Sequence, residues 1–226
     1  MKRVALLSLF VLLVFTVAAH ADQLYFYGGD IDPHQGTAVA NENDALDHGN
    51  PYGSAVYQNF YALSNITVSG LFTNNLSSIT PTSGYWELRS GVSEGNGGTL
   101  LASGTGSVTN TPTGRSAFGY EEYTNLVSGL SVALAPGQYW FAVVPECLTC
   151  QGRAFNGDTS GLNSVGKSDL NLEYQNSPFY GQNFVALGSD FPTGSSGVYV
   201  VPEPGSLMLV GTGIASVIGT LRRKLL

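Results

Sequence analysis

Turn-forming residues interrupt this chain about every 8 to 15 positions, and this spacing limits what the chain can fold into. Between the turns lie short stretches rich in β-branched and aromatic residues, and no window carries the apolar stripe of an amphipathic helix. The 29 glycines, with abundant Ser, Thr and Asn, supply the turns. The pattern predicts an all-β fold in which two antiparallel sheets pack as a sandwich or jelly roll.

Eleven stretches have the composition or alternation of strands. Trp86 and Trp140 fall within two of them and are predicted to anchor the core. Pro136-Gly137 stands between two others and predicts either a hairpin or a corner between sheets. The predicted strands are residues 24–27, 55–63, 66–72, 84–89, 99–102, 121–127, 131–134 and 138–144, followed by 170–174, 183–187 and 197–201.

The first 21 residues have the pattern of a signal peptide. Lys2 and Arg3 precede an apolar run that extends to Phe15, and Ala19-His20-Ala21 places small residues where signal peptidase cuts. Polar residues follow at once, so the stop-transfer pattern of a permanent anchor is missing. We expect cleavage before Asp22 and export of the chain across the inner membrane.

The other end carries a different apolar segment. Val201-Pro202-Glu203-Pro204 precedes seventeen uncharged residues, 205–221, and then Arg222, Arg223 and Lys224 form a basic stop. The positive-inside rule keeps this stop in the cytoplasm and leaves residues 22–204 outside. The segment predicts a single transmembrane helix that is short and rich in glycine, which suits transient anchorage.

The C-terminal pattern resembles the PEP-CTERM sorting signal of Gram-negative bacteria, which joins a Pro-Glu-Pro motif, an apolar helix and a basic tip. The resemblance implies that an exosortase, a membrane transpeptidase, recognises Pro202, Glu203 and Pro204 and processes the chain near them. It also implies a final place at the cell surface or outside the cell, with exopolysaccharide as a partner. Residues 55–145 resemble the sandwich domains found upstream of such tails, and an ordinary C-terminal anchor is the alternative for the tail.

The predicted domains are therefore the signal peptide (1–21), a β-sandwich (22–200) and the sorting segment (201–226). Residues 22–204 contain only Arg89, Arg115, Arg153 and Lys167 as arginine or lysine, against sixteen acidic residues that include Glu203, a formal charge of −12. Such a chain has no basic face for phosphates, which excludes nucleic acid, and no attraction to anionic lipid.

The only two cysteines, Cys147 and Cys150, are separated by two residues. Their spacing fits a redox dithiol, half of a zinc site or a local disulfide. Export favours the disulfide, and the short loop predicts a modest contribution to stability.

Acidic residues near the N-terminus have the oxygen chemistry that calcium prefers, without the spacing of an EF-hand. A solvated loop is the expected state, and a structural Ca²⁺ site is the alternative. The candidate ligands are Asp30, Asp32, Asp44 and Asp47. No other cofactor is expected.

Two short motifs match enzyme signatures but lack their context. Gly91–Gly95 matches the nucleophile elbow G-x-S-x-G, yet all three histidines precede Ser93. Gly161–Ser168 matches the phosphate-binding loop without a strand before it or a helix after it. Glu121 and Glu122 are neighbours on a predicted strand and point to opposite faces. We expect no catalytic residues.

These observations favour an exported, non-enzymatic protein of the surface or the extracellular matrix. The alternative is a carbohydrate-binding module for exopolysaccharide, which needs exposed aromatic side chains; a secreted hydrolase comes third. The tyrosines considered for such a surface are Tyr25, Tyr27, Tyr52, Tyr57, Tyr61 and Tyr180.

Overall fold

The computed structural model describes residues 22–32 and 36–202. The predicted signal peptide, the apolar segment 205–221 and the basic stop lie outside these residues. Within the described ranges, no helix has the length and apolar character needed to span a bilayer. Residues 24–200 form one compact unit, and the described residues of the other unit are Asp22, Gln23, Val201 and Pro202.

Fourteen strands and one 3₁₀ turn (Gly188–Asp190) make up the described chain. The strands are β1 (Gln23–Tyr27), β2 (Ala38–Ala40), β3 (Asn43–Asp44), β4 (Ala55–Ala62), β5 (Ile66–Ser77), β6 (Ser83–Ser90), β7 (Thr99–Ser107), β8 (Thr109–Ala117), β9 (Tyr120–Leu134), β10 (Gly137–Cys147), β11 (Ala154–Gly157), β12 (Tyr174–Ser177), β13 (Gln182–Ala186) and β14 (Ser196–Val200).

The strands form two sheets of seven. The first sheet is centred on β5, which has β9 and then β8 on one side and β14–β1 and β11–β2 on the other. The second has the order β13-β12-β4-β10-β6-β7, and β3 runs parallel to β10. Pairing is otherwise antiparallel, for example along the eleven paired positions of β5 and β9. The prediction of an all-β fold with two antiparallel sheets is confirmed.

Most predicted strands are present, and several are longer than predicted. β5 extends to Ser77, β7 extends to Ser107, and the predictions at 121–127 and 131–134 are parts of β9. The prediction at 170–174 is wrong: Asn171 has φ 64°, a turn conformation, and the strand begins only at Tyr174. The strands that the pattern missed are β2, β3, β8, β11 and most of β12.

Pro136 and Gly137 form a corner between the sheets. β9 ends at Leu134 in the first sheet, and β10 begins at Gly137 in the second. Of the two predicted geometries, the structure therefore has the corner. This corner places the long strand β10 at the centre of the second sheet.

The main core lies between the two sheets. Phe26, Phe60 and Phe141 pack together with ring centroids 5.8 to 6.2 Å apart. Leu71 from the first sheet and Leu88 from the second are fully buried beside them. Each such side chain contributes about 1.5–3 kcal/mol through the burial of apolar surface.

The second sheet is buried on its other face as well. Along β10, Phe141 and Val143 face the main core, whereas Trp140, Ala142 and Val144 belong to a separate cluster on the opposite face. The Trp140 indole donates a hydrogen bond to the carbonyl of Leu172 at 2.8 Å. Both tryptophans pack on apolar clusters, but Trp86 is only partly buried.

The space between the sheets becomes polar toward one end. The Asn41 side chain donates to the carbonyl of Val143 at 2.9 Å, and the Asn156 amide donates to Thr73 at 2.9 Å. These amides satisfy one another and the backbone, which a buried polar group requires. The polar end of the interior supports the side chains described next.

Candidate functional site

The sorting motif begins where the folded body ends. β14 ends at Val200, and Val201 and Pro202 continue without regular secondary structure. Val201 is exposed, and Pro202 is half-buried. The other predicted motif residues, Glu203 and Pro204, and the basic stop Arg222, Arg223 and Lys224 lie outside the described residues.

The three arginines of the body each bind carboxylates. Arg89 pairs with Glu87. Arg115 pairs with Asp30 and Glu122, and Arg153 pairs with Glu42 and Asp47. The guanidinium groups are thus engaged within the chain.

The Arg153 cluster lies at the polar end of the interior. Arg153 Nε donates to Glu42 Oε1 at 2.9 Å, and Nη2 lies 3.1 Å from Asp47 Oδ2. Glu42 is fully buried and also accepts the backbone N–H of Ala154. Tyr180 completes the cluster by donating to Asp47 and accepting from Arg153 Nη2 at 3.0 Å.

Burial sets the protonation of this cluster. Desolvation and a hydrogen bond with Asp47 together raise the pKa of Glu42 to about 8, against the opposing Ala154 N–H and Arg153 charge. Burial would also raise the pKa of Asp47, but hydrogen bonds from Glu42 and Tyr180 and the charge of Arg153 outweigh it and lower that pKa. At neutral pH the proton therefore resides on Glu42, and Asp47 is the charged partner of Arg153.

An exposed aromatic pair adjoins the Arg153 cluster. Phe179 and Tyr180 stand in the turn between β12 and β13, are 46 % and 45 % exposed, and meet edge to face with centroids 5.0 Å apart. On the other side, the Arg153 guanidinium lies 4.9 Å from the centre of the Phe155 ring. We call Phe179, Tyr180, Arg153 and Phe155 the aromatic–arginine surface.

The Arg115 cluster lies on the outer side of the first sheet. Arg115 donates to Glu122 Oε2 at 2.6 Å and to Asp30 Oδ1 at 2.7 Å. Tyr27 donates to the same Asp30 oxygen at 2.8 Å. Burial raises the pKa of Glu122, although Thr113 and Arg115 oppose the shift. Glu121, its neighbour on β9, is exposed, so the two carboxylates lie on opposite faces as predicted.

The Arg89 cluster is a chain of hydroxyl groups that ends on a buried carboxylate. The Tyr52 and Tyr57 hydroxyls are 2.7 Å apart, and Tyr57 donates to Glu87 Oε2 at 2.7 Å. Tyr85 donates to the other Glu87 oxygen at 2.8 Å. Burial, supported by the hydrogen bond to Glu87, raises the pKa of Tyr85 to about 12. The hydroxyls therefore act as neutral donors that solvate Glu87 inside the protein.

Glu173 is buried, and no cation among the described residues forms an ion pair with it. Its Oε1 accepts hydrogen bonds from Gln58 at 2.8 Å and from Asn59 at 3.1 Å. Its Oε2 has no hydrogen-bond partner among the described residues. Desolvation raises the pKa of Glu173 to about 8, despite the opposing amide donors. The side chain is accordingly protonated at neutral pH.

The tyrosines considered for a sugar-binding surface divide by burial. Tyr27, Tyr52 and Tyr57 are buried in the clusters above, so they are not available for stacking. Tyr25 and Tyr61 are half-buried. Only Tyr180 of the six is exposed.

Cys147 and Cys150 form a disulfide, with Cα atoms 5.2 Å apart. It closes the turn at the end of β10, where the Cys150 N–H also donates to the Cys147 carbonyl at 2.9 Å. The Cys150 carbonyl accepts from Ala45 N–H at 3.0 Å, which ties this turn to the loop that carries Asp47.

The four candidate calcium ligands have other partners. Asp30 and Asp47 bind arginines, and Asp44 Oδ1 accepts two backbone N–H groups at 2.7 Å. Asp32 belongs to the loop beside Asp30. Within residues 22–32 and 36–202, no three His, Cys, Asp or Glu side chains are grouped to hold a metal ion. The candidates are therefore not assembled into one site.

The two enzyme-like motifs are turns and loops. Residues 91–98 connect β6 to β7, and the backbones of Ser93 and Asn96 pair across the turn. Residues 161–168 belong to the long connection between β11 and β12, which lies within the described chain and in which no helix is present. Lys167 of this loop lies 4.3 Å from the Tyr61 ring centre.

Sequence reasoning did not find the arginine clusters or Glu173. The sequence signal that could have indicated the clusters is the small number of cations, because three arginines in an acidic exported domain are expected to bind internal carboxylates. Their specific partners carried no local signal, because Glu42 and Arg153 are 111 residues apart.

Comparison with protein families identifies the tail. Residues 200–224 match the model of the PEP-CTERM protein-sorting motif. PEP-CTERM tails are recognised by exosortase, and the motif indicates an exosortase-sorted extracellular protein, exported and sorted to the bacterial cell surface. The resemblance seen in the sequence is thereby confirmed for the tail. No curated protein and no solved structure matches this chain.

Proposed function

We propose that this chain is a non-catalytic protein of the cell surface or extracellular matrix, delivered by a signal peptide and processed by an exosortase near Pro202, Glu203 and Pro204. The observation that carries the proposal is the position of the sorting motif along the chain. The PEP-CTERM motif begins at residue 200, where the last strand of the body ends. The two prolines fix φ and disfavour helix in the preceding residue, so we expect the exosortase to meet the motif as an extended segment.

The proposal that the body is non-catalytic is supported by how its acidic groups are used. Glu42, Glu87 and Glu122 are buried against arginines, and Glu173 is buried among amides. Ser93 lies in an exposed turn. A measured turnover that one substitution in residues 22–200 abolishes would contradict this part of the proposal.

The sorting proposal is tested by a charge deletion in the motif. With Glu203→Ala, we expect the unprocessed chain to accumulate in the membrane fraction, because the recognition element is lost. The control Glu121→Ala removes an exposed carboxylate from the body and should leave processing unchanged. Fractionation and mass spectrometry of the recovered C-terminus give the result.

Deletion of residues 201–226 provides the second arm of this test. We expect the shortened chain to pass into the periplasm or medium without residence in the membrane. The proposal of exosortase sorting is wrong if all three chains, deleted, Glu203→Ala and unaltered, reach the same compartment and the Glu203→Ala and unaltered chains are recovered with the same C-terminus.

A second candidate function is the binding of polysaccharide at the aromatic–arginine surface. The observation that favours it is the exposure of Phe179 and Tyr180 beside Arg153, because exposed rings stack on the apolar faces of sugars while charged groups bind hydroxyls.

Affinity electrophoresis in gels containing alginate or dextran tests this candidate. We expect retardation of the unaltered protein and its loss in Phe179→Ala, which leaves the Arg153 ion pairs intact. The control is Phe118→Ala, because Phe118 is 59 % exposed in a different turn. If each of the three proteins has the same mobility in the alginate gel, the dextran gel and a plain gel, polysaccharide binding at this surface is excluded.

A further inference from the structure

Strand β7 is an unprotected edge of the second sheet. It is the last strand of that sheet, and its outer backbone groups have no hydrogen-bond partner among the described residues. Its nine residues, Thr99–Ser107, include no charge and no proline. One irregularity lies opposite Leu88 and Arg89, and beyond it Ala102–Ser107 pair regularly with β6. Such an edge presents unpaired N–H and C=O groups on which another strand can form.

Other edges of the two sheets are protected by means that β7 lacks. β8 contains Pro112 and Arg115, and its pairing with β9 is irregular between Pro112 and Ser116. The edge of β13 is covered by the 93–96 turn. Gly95 N–H donates to the Phe184 carbonyl at 3.0 Å, and the Glu94 carboxylate accepts from Ala186 N–H at 2.6 Å.

Edges of the first sheet are covered in the same way. The edge of β1 is closed by the 161–168 loop, where Tyr27 and Val165 exchange two hydrogen bonds of 2.9 Å. β2 has three residues, and the Ala40 carbonyl accepts from Ser54 and Gln175 side chains. The second half of β9, which lacks β8 as a neighbour, is bent where Gly129 has φ 76°. Among the described strands, β7 thus combines length, regularity and an uncovered edge.

The structure also holds β7 in place. The turn before it is bound to β13, and after it a single residue, Val108, leads into β8 of the other sheet. A side chain at Gly104 would come within 3.2 Å of the Trp86 ring, so β7 lies directly against that ring. Because the strand is already ordered, adding a partner requires little further loss of conformational entropy.

We propose that β7 pairs antiparallel with the β7 strand of a second copy of this chain. A two-fold axis makes an edge complementary to itself, since each strand supplies the same row of donors and acceptors. Residues 22–204 carry a formal charge of −12, and the uncharged β7 edge is the place where two copies meet without acidic side chains opposite each other. Ser103, Thr105 and Ser107 are exposed and small, so they do not obstruct the approach.

Sorting would increase the extent of this pairing. Copies held on one surface have a high local concentration, which favours a weak contact. This step rests on the proposed function, whereas the pairing itself does not and is measured in solution.

The test compares one substitution on two edge strands of the full-length chain in detergent micelles. Sedimentation velocity of the unaltered chain should show a concentration-dependent dimer. Thr105→Glu should abolish the dimer, because it places two carboxylates in the strand pair. The control Thr111→Glu makes the same change at an exposed position of β8 and should leave the dimer intact. Circular dichroism confirms that each variant is folded.

A charge reversal separates edge pairing from other contacts. Thr105→Lys alone should also be monomeric, and a mixture of Thr105→Glu with Thr105→Lys should restore the dimer. A monomeric unaltered chain at all concentrations, or a dimer that survives both Thr105 substitutions, would overturn the proposal. Neither result would bear on sorting, which is measured by processing in cells.

Discussion

At the scale of single residues, the body is characterised by where its few cations lie. Arg89, Arg115 and Arg153 each contact a carboxylate that is almost wholly buried. A buried ion pair adds little net stability by itself, but the removal of one partner leaves a charge without compensation. The arginines are therefore more important to folding than their exposed fractions suggest.

Replacement of Arg153 by methionine should be strongly destabilising. Arg153→Met leaves the charged Asp47 without its cation and the buried Glu42 without the N–H that Arg153 donates to it, and we expect the free energy of unfolding to fall by about 3 kcal/mol. Urea denaturation followed by tryptophan fluorescence measures the change. Lys167→Met is the control, because the exposed Lys167 side chain lies over the Tyr61 ring, an interaction of at most about 1 kcal/mol. Similar losses in the two variants would contradict the role given to Arg153.

The buried Glu173 should make stability depend on pH. Its pKa is about 8 in the folded protein and near the ordinary 4.5 in the unfolded chain. Between these values the unfolded chain releases a proton that the folded chain retains, so the free energy of unfolding falls as pH rises from 4.5 to 8.

Glu173→Gln should remove this dependence. The amide mimics the protonated acid, so the variant should gain stability at slightly alkaline pH, on the order of 3 kcal/mol, and little at pH near 5. Urea midpoints at the two pH values give the comparison, with Glu121→Gln as an exposed control. Glu42 still contributes to the pH dependence of stability in this variant, because its pKa is also about 8. A gain that is the same at both pH values would refute the assignment.

Local chemistry indicated only part of the residue-scale picture. Adjacent positions on a strand must face opposite ways, so the separation of Glu121 from Glu122 could be predicted. The pairing of Arg153 with Glu42 could not be predicted, because it depends on how the folded chain brings the segment before β3 next to the segment before β11. The burial of Tyr52 and Tyr57 likewise depends on the β12–β13 hairpin at the edge of the second sheet, whose Tyr174 and Phe184 belong to the same buried cluster.

At the scale of elements, the pattern identified most of the long strands, with β8 as an exception, and failed for short strands that are ordered by pairing with other strands. β4, β6 and β10 have aromatic and β-branched residues between clear turn signals, and each was predicted. β2 and β11 are short, and their backbones are ordered by pairing: β2 pairs with β11, and β11 pairs with β5. Composition within such segments carries too little information to distinguish a strand from a loop.

The long connection between β11 and β12 should be the first site of proteolysis in the body. It contains Lys167, which is exposed, whereas the three arginines lie in or beside strands and are bound to carboxylates. Under native conditions trypsin should therefore make its first cut within residues 22–202 after Lys167. Mass spectrometry identifies the cut, and Lys167→Gln should prevent it. An initial cut after Arg89, Arg115 or Arg153 would show that those strands open more readily than the loop.

At the scale of the whole molecule, the last strand of the body completes its first sheet. β14 lies between β1 and β5, and its Val198 and Val200 are buried in the main core. Gly28 N–H, directly after β1, donates to the Ser196 carbonyl of β14 at 3.0 Å. The described body therefore closes its sheet only when the residues just before the sorting motif are in place.

The position of β14 predicts a sharp boundary between body and tail. A chain of residues 22–201 should fold alone and unfold in one transition, because residues 24–200 form a compact unit. A chain of residues 22–195 should fail to fold, because it lacks the strand that pairs with β5 and the two valines that β14 buries. Near-ultraviolet circular dichroism during heating distinguishes the two chains. If both fold with the same midpoint, β14 is dispensable and the body ends earlier than Val200; if neither folds, the body depends on the tail itself.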